Sequence, residues 1–173
     1  MEYYRILLSF SAIALVCSVA EATPLDGNTL KTVNGICKQT ADTKFCTRVF
    51  SNNLVTSSPR KKDLVNATVT EAAKHSATTY FFISTLLRNA GDERTNLQMC
   101  AEAYAIVNTA FTNAISFCNQ GEYSKILNLQ GQVYDGVGIC KTDFIVPGYE
   151  INPLIEKNRQ TIVLVSMQKI VSS

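Results

Sequence analysis

Apolar residues recur at three- and four-residue spacing along most of the chain, and this period constrains the fold more than any other feature. From residue 59 onwards the pattern is interrupted near Gly91, near Gly121 and at Pro147-Gly148. Glycine typically stands just past the end of a helix, and proline cannot continue one. The spacing therefore predicts helices over residues 59–89, 95–120 and 122–144, and a fourth from about residue 153. Short connections between helices of similar length favour antiparallel neighbours, so we expect an all-α fold, an up-down-up-down four-helix bundle.

Residues typical of helix starts precede three of these segments. Ser58 is the expected N-cap of the first helix, with Pro59 at its first position, and Thr95 is the expected cap of the second. The fourth helix is expected to begin at Asn152-Pro153. The predicted third helix contains glycines at 131, 136 and 138, each costing about 1 kcal/mol relative to alanine. We therefore expect that helix to lie close against a neighbour.

The first 22 residues have the pattern of a secretion signal. Arg5 precedes an uncharged apolar run at residues 6–20, and Ala20-Glu21-Ala22 follows. The run is shorter than the roughly 20 residues that a transmembrane helix needs. It matches a signal-peptide core with an A-x-A cleavage site. We predict a signal peptide at 1–22, with cleavage after Ala20 as the alternative, and a secreted mature chain at 23–173 without a membrane anchor.

Removal of the signal peptide removes Cys17 and leaves an odd number of cysteines, five. In an oxidising compartment an odd number predicts two disulfides with one unpaired thiol, or a bridge between chains. Cys37 and Cys46 are close in sequence, and their spacing suits a short helical hairpin stapled at its turn. The hairpin would occupy residues 23–57, and the bundle residues 58–173.

The other three cysteines fall on the second and third predicted helices. Cys100 and Cys140 are about equally far from the Gly121 turn, so adjacent antiparallel helices would bring their thiols to the same height. Cys118 is next to the turn, without a partner at its height. It is the predicted free thiol, and we interpret it as a buried small apolar residue.

Composition and motifs give little support to catalysis or cofactor binding. The net charge of +2 is too small to indicate nucleic-acid binding. A single histidine, His75, excludes a histidine-rich metal site, and the common zinc, hydrolase and phosphate-loop motifs are missing from the sequence. Nothing in the sequence therefore supports a catalytic site, and we predict no metal and no cofactor. His75 stands four residues after Glu71, which predicts a surface pair on one helix face, with a pH-responsive contact as the alternative.

Two surface features remain. Asn66-Ala67-Thr68 is an N-x-S/T sequon and predicts N-glycosylation of Asn66. Arg60-Lys61-Lys62 places three cations in the first turn of a predicted helix, where they oppose its dipole. We interpret this run as a solvated surface, and a weak contact with acidic cell-wall polysaccharide is the alternative.

Several short motifs occur in an order that is typical of one protein family. Ile36-Cys37-Lys38-Gln39-Thr40 leads to Cys46, and Cys100-Ala101-Glu102-Ala103-Tyr104 follows in the second bundle helix. Asp135-Gly136 precedes Cys140, and Asn158 is in the last helix. Together these motifs make the chain resemble the plant invertase and pectin methylesterase inhibitor family over essentially the whole of residues 23–173.

The resemblance implies a fold and a function. It implies a four-helix bundle preceded by an N-terminal helical hairpin, with disulfides Cys37–Cys46 and Cys100–Cys140. It also implies a protein of the cell wall or the vacuole that has no catalytic activity. Such a protein forms a stoichiometric complex with its target enzyme and covers the active-site cleft. The family usually has a proline in the first cysteine loop, where this chain has Asp42-Thr43.

The turn after the second bundle helix bears on the target. Invertase inhibitors of the family typically carry Gly-Asp-Pro-Lys-Phe there, whereas pectin methylesterase inhibitors often have a tyrosine after the Gly-acid pair. This chain has Gly121-Glu122-Tyr123-Ser124-Lys125, and these residues are our candidates for partner contact. The resemblance therefore implies a pectin methylesterase as the target, with acid invertase as the alternative.

Two further alternatives are compatible with the sequence. The first is a pollen or stress protein that keeps the fold without inhibiting an enzyme. The second is a secreted carrier that holds an apolar ligand between Phe81, Phe82, Phe111 and Phe117.

Overall fold

The computed structural model describes residues 25–140 and 145–173. The predicted signal peptide, with Cys17, and the last residues of the predicted third helix, 141–144, lie outside the described residues. Within them the chain is helical, which confirms the predicted all-α class. The α-helices are α1 (Gly27–Cys37), α2 (Thr43–Asn53), α3 (Lys61–Leu86), α4 (Arg94–Gln120), α5 (Tyr123–Asn128), α6 (Gln130–Ile139) and α7 (Leu154–Ser172).

Helices α3, α4, α5 with α6, and α7 form the up-down-up-down bundle. Lys61 in the first turn of α3 donates a hydrogen bond to the carbonyl of Ser173, just after α7, at 2.6 Å. The Cys118 thiol near the end of α4 lies 4.0 Å from the Lys62 carbonyl. These contacts place the start of α3 beside the ends of α4 and α7, as antiparallel packing requires. The largest side chains of the bundle core are fully buried: Ile83, Leu97, Tyr104, Phe111, Leu154, Leu164 and Met167.

Helices α1 and α2 form a hairpin that packs against the bundle. Each begins at an aspartate: Asp26 accepts the backbone N–H of Thr29 at 2.6 Å, and Asp42 accepts that of Phe45 at 2.9 Å. A disulfide joins Cys37 to Cys46 across the turn, with the Cα atoms 5.4 Å apart. Asp42 also forms a salt bridge with Arg159 of α7 at 2.7 Å. At the position where the family usually has proline, this chain thus has a carboxylate that caps α2 and binds the bundle.

The predicted helix starts at Ser58 and Thr95 are wrong by a few residues. Helix α3 begins at Lys61, and its first turn is stabilised by Asp63, which accepts the backbone N–H of Arg60 at 2.9 Å. The Ser58 hydroxyl donates instead to Asp26. Helix α4 begins at Arg94, so Thr95 lies inside its first turn. The predicted start of the fourth bundle helix at Asn152-Pro153 is confirmed, because helix α7 begins at Leu154 and the Asn152 side chain accepts the backbone N–H of Leu154 at 2.9 Å.

The prediction of a single third helix over residues 122–144 is also wrong. The helix is divided at Leu129, whose N–H bonds the carbonyl of Ile126 three residues back and tightens the end of α5. Helix α6 ends at Ile139, and Pro147-Gly148 forms a separate turn in which Gly148 has a φ of 84°. The expected close approach occurs at Gly136, where an added Cβ would lie 2.6 Å from Val107 Cγ2. Gly131 and Gly138 have open space instead.

His75 does not form the predicted surface pair with Glu71. Its ring is buried between α3 and α7, and Nε2 lies 3.0 Å from the backbone carbonyl of Lys157. The Glu71 carboxylate accepts instead from the Asn53 amide at 3.2 Å. Sequence spacing placed the two side chains on one helix, but packing against α7 decided which of them is buried.

The four phenylalanines of the carrier hypothesis do not share a cavity. Phe111 is 1% exposed in the core, whereas Phe81 is 67% exposed on the surface. The Phe82 ring packs edge-on against Tyr149, and the Phe117 ring lies below Lys125 at the opposite end of the bundle. The carrier hypothesis is therefore wrong in the form in which the sequence suggested it.

Candidate functional site

The candidate contact residues form the turn between α4 and α5, residues 121–125, at one end of the bundle. Gly121 ends α4 in the left-handed conformation, with a φ of 75°. Its N–H bonds the carbonyl of Cys118 at 3.1 Å, and the N–H of Glu122 bonds that of Phe117 at 2.9 Å. This pair of hydrogen bonds is the Schellman arrangement, in which glycine is favoured because it has no Cβ. The α4–α5 turn therefore has a defined backbone.

Charged side chains of the turn pair with each other. The Lys125 ammonium lies 2.8 Å from the Glu122 carboxylate; the Lys125 side chain is 52% exposed and the Glu122 side chain 36%. The same ammonium lies 5.4 Å from the centroid of the Phe117 ring. An exposed ion pair of this kind contributes little to stability. Glu122 and Lys125 are thus charged groups held at the surface, available to a partner at small cost to the fold.

Tyr123 is half-buried and fixes the start of α5 against the bundle. The Lys61 ammonium lies 5.4 Å from its ring centroid and also bonds the carbonyl of Ser173 at 2.6 Å. Ser124 is exposed. Of the five candidates, Gly121, Ser124 and Lys125 are thus exposed, while Glu122 and Tyr123 are partly covered.

The α4–α5 turn is continuous with an uncharged helix surface that the sequence reasoning missed. Between Glu102 and Glu122 no residue carries a charge. The structure exposes polar residues on this part of α4, which we call the α4 face: Thr109, Thr112, Asn113, Ser116, Asn119 and Gln120. The signal was present in the sequence as nineteen residues without a charge, 103–121.

Hydrogen bonds hold several side chains of the α4 face in place. The hydroxyl of Thr109 donates to the carbonyl of Ala105 at 2.9 Å, and that of Thr112 donates to the backbone carbonyl of Asn108 at 2.9 Å. The Gln120 amide donates to the Ser116 hydroxyl at 2.9 Å. Further from the α4–α5 turn on the same helix, Met99 and Ile106 are each 52% exposed. Cores of protein interfaces are depleted in charged residues, and ordered side chains lose less entropy on binding.

Cys100, Cys118 and Cys140 are all buried. A disulfide joins Cys100 of α4 to Cys140 after α6, with the Cα atoms 4.8 Å apart. Cys118 is free and buried, and its burial raises the pKa of the thiol. A buried thiol with a raised pKa is a poor nucleophile. Cys118 therefore packs as a buried side chain next to the α4–α5 turn.

The basic run at the start of α3 is partly neutralised. The Arg60 guanidinium lies 3.5 Å from Asp63, and Lys61 is engaged with the carbonyl of Ser173. Lys62 is exposed. The proposed contact with acidic polysaccharide therefore has weaker support from charge than the sequence alone indicated.

The parts of the chain that the structure describes, 25–140 and 145–173, contain no cluster of acidic, histidine or cysteine side chains that could hold a metal ion. In the same parts, no helix has both the length and the apolar character needed to cross a membrane.

The family model for plant invertase/pectin methylesterase inhibitors matches residues 31–164, from the middle of α1 into the second half of α7. No curated protein matches the chain.

Proposed function

The chain belongs to the plant invertase/pectin methylesterase inhibitor family, and from that premise we propose that it is a secreted inhibitor of a plant cell-wall pectin methylesterase. Membership of the family implies an inhibitor of one of the two enzymes rather than an enzyme. The choice of target, the formation of a one-to-one complex and the secretion to the apoplast, with the vacuole as the alternative, are part of the proposal.

The observation that carries the proposal is the continuous surface made by the α4 face and the α4–α5 turn. The turn alone is too small for a stable complex, since standard interfaces bury about 800 Å² on each partner. The α4 face extends it along the helix: Thr109 and Gln120 are eleven residues apart, which is about 16 Å at 1.5 Å per residue. The whole surface presents hydrogen-bonding groups with few charges.

The chemistry of the target favours such a surface. A pectin methylesterase acts on methyl-esterified uronic acids, whose reacting groups are uncharged esters. A cleft that accepts an uncharged polar chain matches an uncharged polar helix face better than a charged one, because buried unpaired charges are costly. At the place where invertase inhibitors have the Pro-Lys-Phe element, this chain has Tyr123-Ser124-Lys125.

Titration of the purified, oxidised protein against a plant pectin methylesterase and a plant acid invertase at acidic pH tests the proposal. We expect loss of the esterase activity to be complete at one inhibitor per enzyme, with the invertase unaffected. Inhibition of the invertase alone would select the alternative target. Inhibition of neither enzyme would leave the pollen or stress protein without inhibitory activity as the surviving interpretation.

A matched pair of variants tests the surface. Thr112→Lys adds a charge to the α4 face, and Thr70→Lys makes the same change on the exposed side of α3. We expect Thr112→Lys to weaken inhibition at least tenfold, because the new charge loses water on binding without gaining a partner. Thr70→Lys should inhibit like the unmodified protein. Equal inhibition by both variants would contradict the assignment of the α4 face.

A further inference from the structure

Asn66 lies on the solvent side of α3. Lys62, Asn66, Thr70 and Lys74 follow one another at four-residue spacing, and all four are exposed; we call them the α3 stripe. Within the described residues the Asn66 side chain makes no hydrogen bond, so its amide nitrogen is open to solvent and to a bulky substituent. The folded protein therefore has room for an oligosaccharide at Asn66.

The other required residue of the sequon lies on the opposite side of the helix. Thr68 is fully buried, and its hydroxyl donates to the carbonyl of Val65 at 2.8 Å. Residues two apart on an α-helix are separated by about 200° around the axis, so they do not share a face. An enzyme that requires both the asparagine and the hydroxyl residue two positions later cannot contact both of them on folded α3.

From these two placements we infer that Asn66 carries an N-linked oligosaccharide and that it is attached before α3 folds. The donor is a lipid-linked oligosaccharide diphosphate of the secretory pathway. The Asn66 Nδ2 forms a bond to the first sugar carbon, the bond from that carbon to the diphosphate oxygen breaks, and the amide releases one proton to solvent. The lipid diphosphate leaves with the electron pair, so no oxidant or reductant is needed.

Folding then places the sugar on the α3 stripe and the Thr68 side chain in the core. The burial of Thr68 makes attachment and folding competing events, because a folded α3 can no longer be modified. A glycan at Asn66 also prevents a partner from covering the α3 stripe, and this consequence rests on the proposed function. The α4 face is on a different helix and remains available.

Expression of the full chain in a eukaryotic secretory host tests the modification by intact mass and by digestion with peptide N-glycosidase. We expect one glycan, lost in both Asn66→Gln and Thr68→Val and kept in Thr68→Ser. Thr68→Val preserves the buried volume and leaves Asn66 in place, so it separates loss of the sequon from loss of the asparagine. A chain without a glycan at Asn66, whether it is secreted or kept inside the cell, would overturn the inference.

Microsomes that contain the transferase test the order of events. Unmodified full-length protein is added either folded and oxidised, or reduced and unfolded, with a lipid-linked donor and permeabilised membranes. We expect transfer to Asn66 only in the unfolded sample. Equal transfer to the folded protein would contradict attachment before folding.

Inhibition assays test the consequence for partner binding. Glycosylated protein and Asn66→Gln are expected to inhibit equally, whereas Ile115→Thr, which completes a sequon beginning at Asn113 on the α4 face, should reduce inhibition at least tenfold when that site carries a glycan. Stronger inhibition by Asn66→Gln would place the α3 stripe in the interface. If no form inhibits either enzyme, the proposed function fails, while the masses still decide whether Asn66 is modified.

Discussion

The Tyr104 hydroxyl of α4 donates a hydrogen bond to the Asn158 side-chain oxygen of α7 at 2.7 Å, inside the bundle. The Asn158 amide nitrogen donates in turn to the carbonyl of Cys140 at 3.1 Å. Cys140 is joined to Cys100, one turn before Tyr104 on α4. Burial raises the pKa of Tyr104 to about 12, so the hydroxyl stays protonated and able to donate. Asn158 thus joins α7 to α4 and to the end of α6.

Replacement of Tyr104 by phenylalanine should destabilise the protein by about 1–3 kcal/mol. The ring remains, but the Asn158 oxygen loses its donor in a buried site, and a buried unsatisfied polar group has a cost of that size. The free energy of unfolding from urea titration measures the effect.

A double-mutant cycle measures the interaction free energy between the Tyr104 and Asn158 side chains. Asn158→Ala alone should cost more than Tyr104→Phe, because it also removes the bond to Cys140 and leaves a cavity. The double variant should cost less than the sum of the two single variants, since the second change removes an interaction that is already lost. Strict additivity would mean that the two side chains do not stabilise each other.

Removal of the Cys100–Cys140 disulfide should be among the most destabilising changes. The bond closes a loop with a sequence separation of 40, for which the unfolded-chain entropy gives about 4 kcal/mol. We expect the double replacement Cys100→Ala/Cys140→Ala to lower the free energy of unfolding by about that amount.

Cys118→Ala is the matched control, because Cys118 is as buried as the other two but forms no disulfide. It should cost about 1 kcal/mol for the lost sulfur contacts. A similar cost for the control and the double variant would show that packing, rather than the covalent link, supplies the stability.

Much of this fold follows from local patterns in the sequence, and the errors fall where a distant residue decides the local structure. The helical period and the glycine at 121 were enough to predict the bundle and the position of the α4–α5 turn. The predicted start of α3 is wrong because the Ser58 hydroxyl, expected to cap that helix, donates to Asp26, 32 residues earlier in the chain. His75 was placed at the surface because nothing in α3 itself reveals that α7 covers that face.

The candidate site also has one part that local sequence predicts and one part that depends on packing. The turn residues 121–125 were found from a motif, and their backbone follows from the glycine. The α4 face was visible in the sequence as an uncharged stretch, but it became a surface only when the structure separated the exposed Thr112 from the buried Phe111 next to it. Which of the neighbouring polar residues face solvent depends on how α4 packs against α3 and α6.

Gly136 marks the closest approach of α6 to α4, and alanine there should destabilise the protein. An added Cβ would lie 2.6 Å from Val107 Cγ2 and 3.1 Å from the backbone oxygen of Ala103. The Val107 side chain is β-branched and stiff, and the Ala103 oxygen belongs to the backbone, so the added methyl group overpacks the contact at a cost of about 1–3 kcal/mol.

Gly138→Ala provides the control on the same helix, because nothing lies within 4 Å of its Cβ position. Alanine there should stabilise the protein by about 0.5–1 kcal/mol, since it lowers the entropy of the unfolded chain and favours the helix. Thermal unfolding of the two variants should therefore shift in opposite directions. A stabilising Gly136→Ala would contradict the close packing of α4 and α6.

His75 should make the stability of the protein depend on pH in the mildly acidic range. Its pKa is lowered from 6.5 chiefly because burial disfavours the charged ring. The hydrogen bond to the Lys157 carbonyl opposes the shift, the Lys157 ammonium adds to it, and Glu71 on α3 and Glu156 on α7 oppose it. The unfolded chain then binds a proton at a higher pH than the folded one. The stabilising contribution is present above about pH 6.5 and is lost as the pH falls toward the lowered pKa of the folded state.

His75→Gln tests this dependence, because glutamine can still donate to the Lys157 carbonyl but does not titrate. The free energy of unfolding of both proteins would be measured from pH 4.5 to 7.5. Both proteins have the same carboxylates, so the difference between their free energies of unfolding removes the contribution of those groups. We expect the unmodified protein to lose stability relative to His75→Gln as the pH decreases below 6.5. Parallel curves over the whole range would mean that His75 has the same pKa in the folded and unfolded chains.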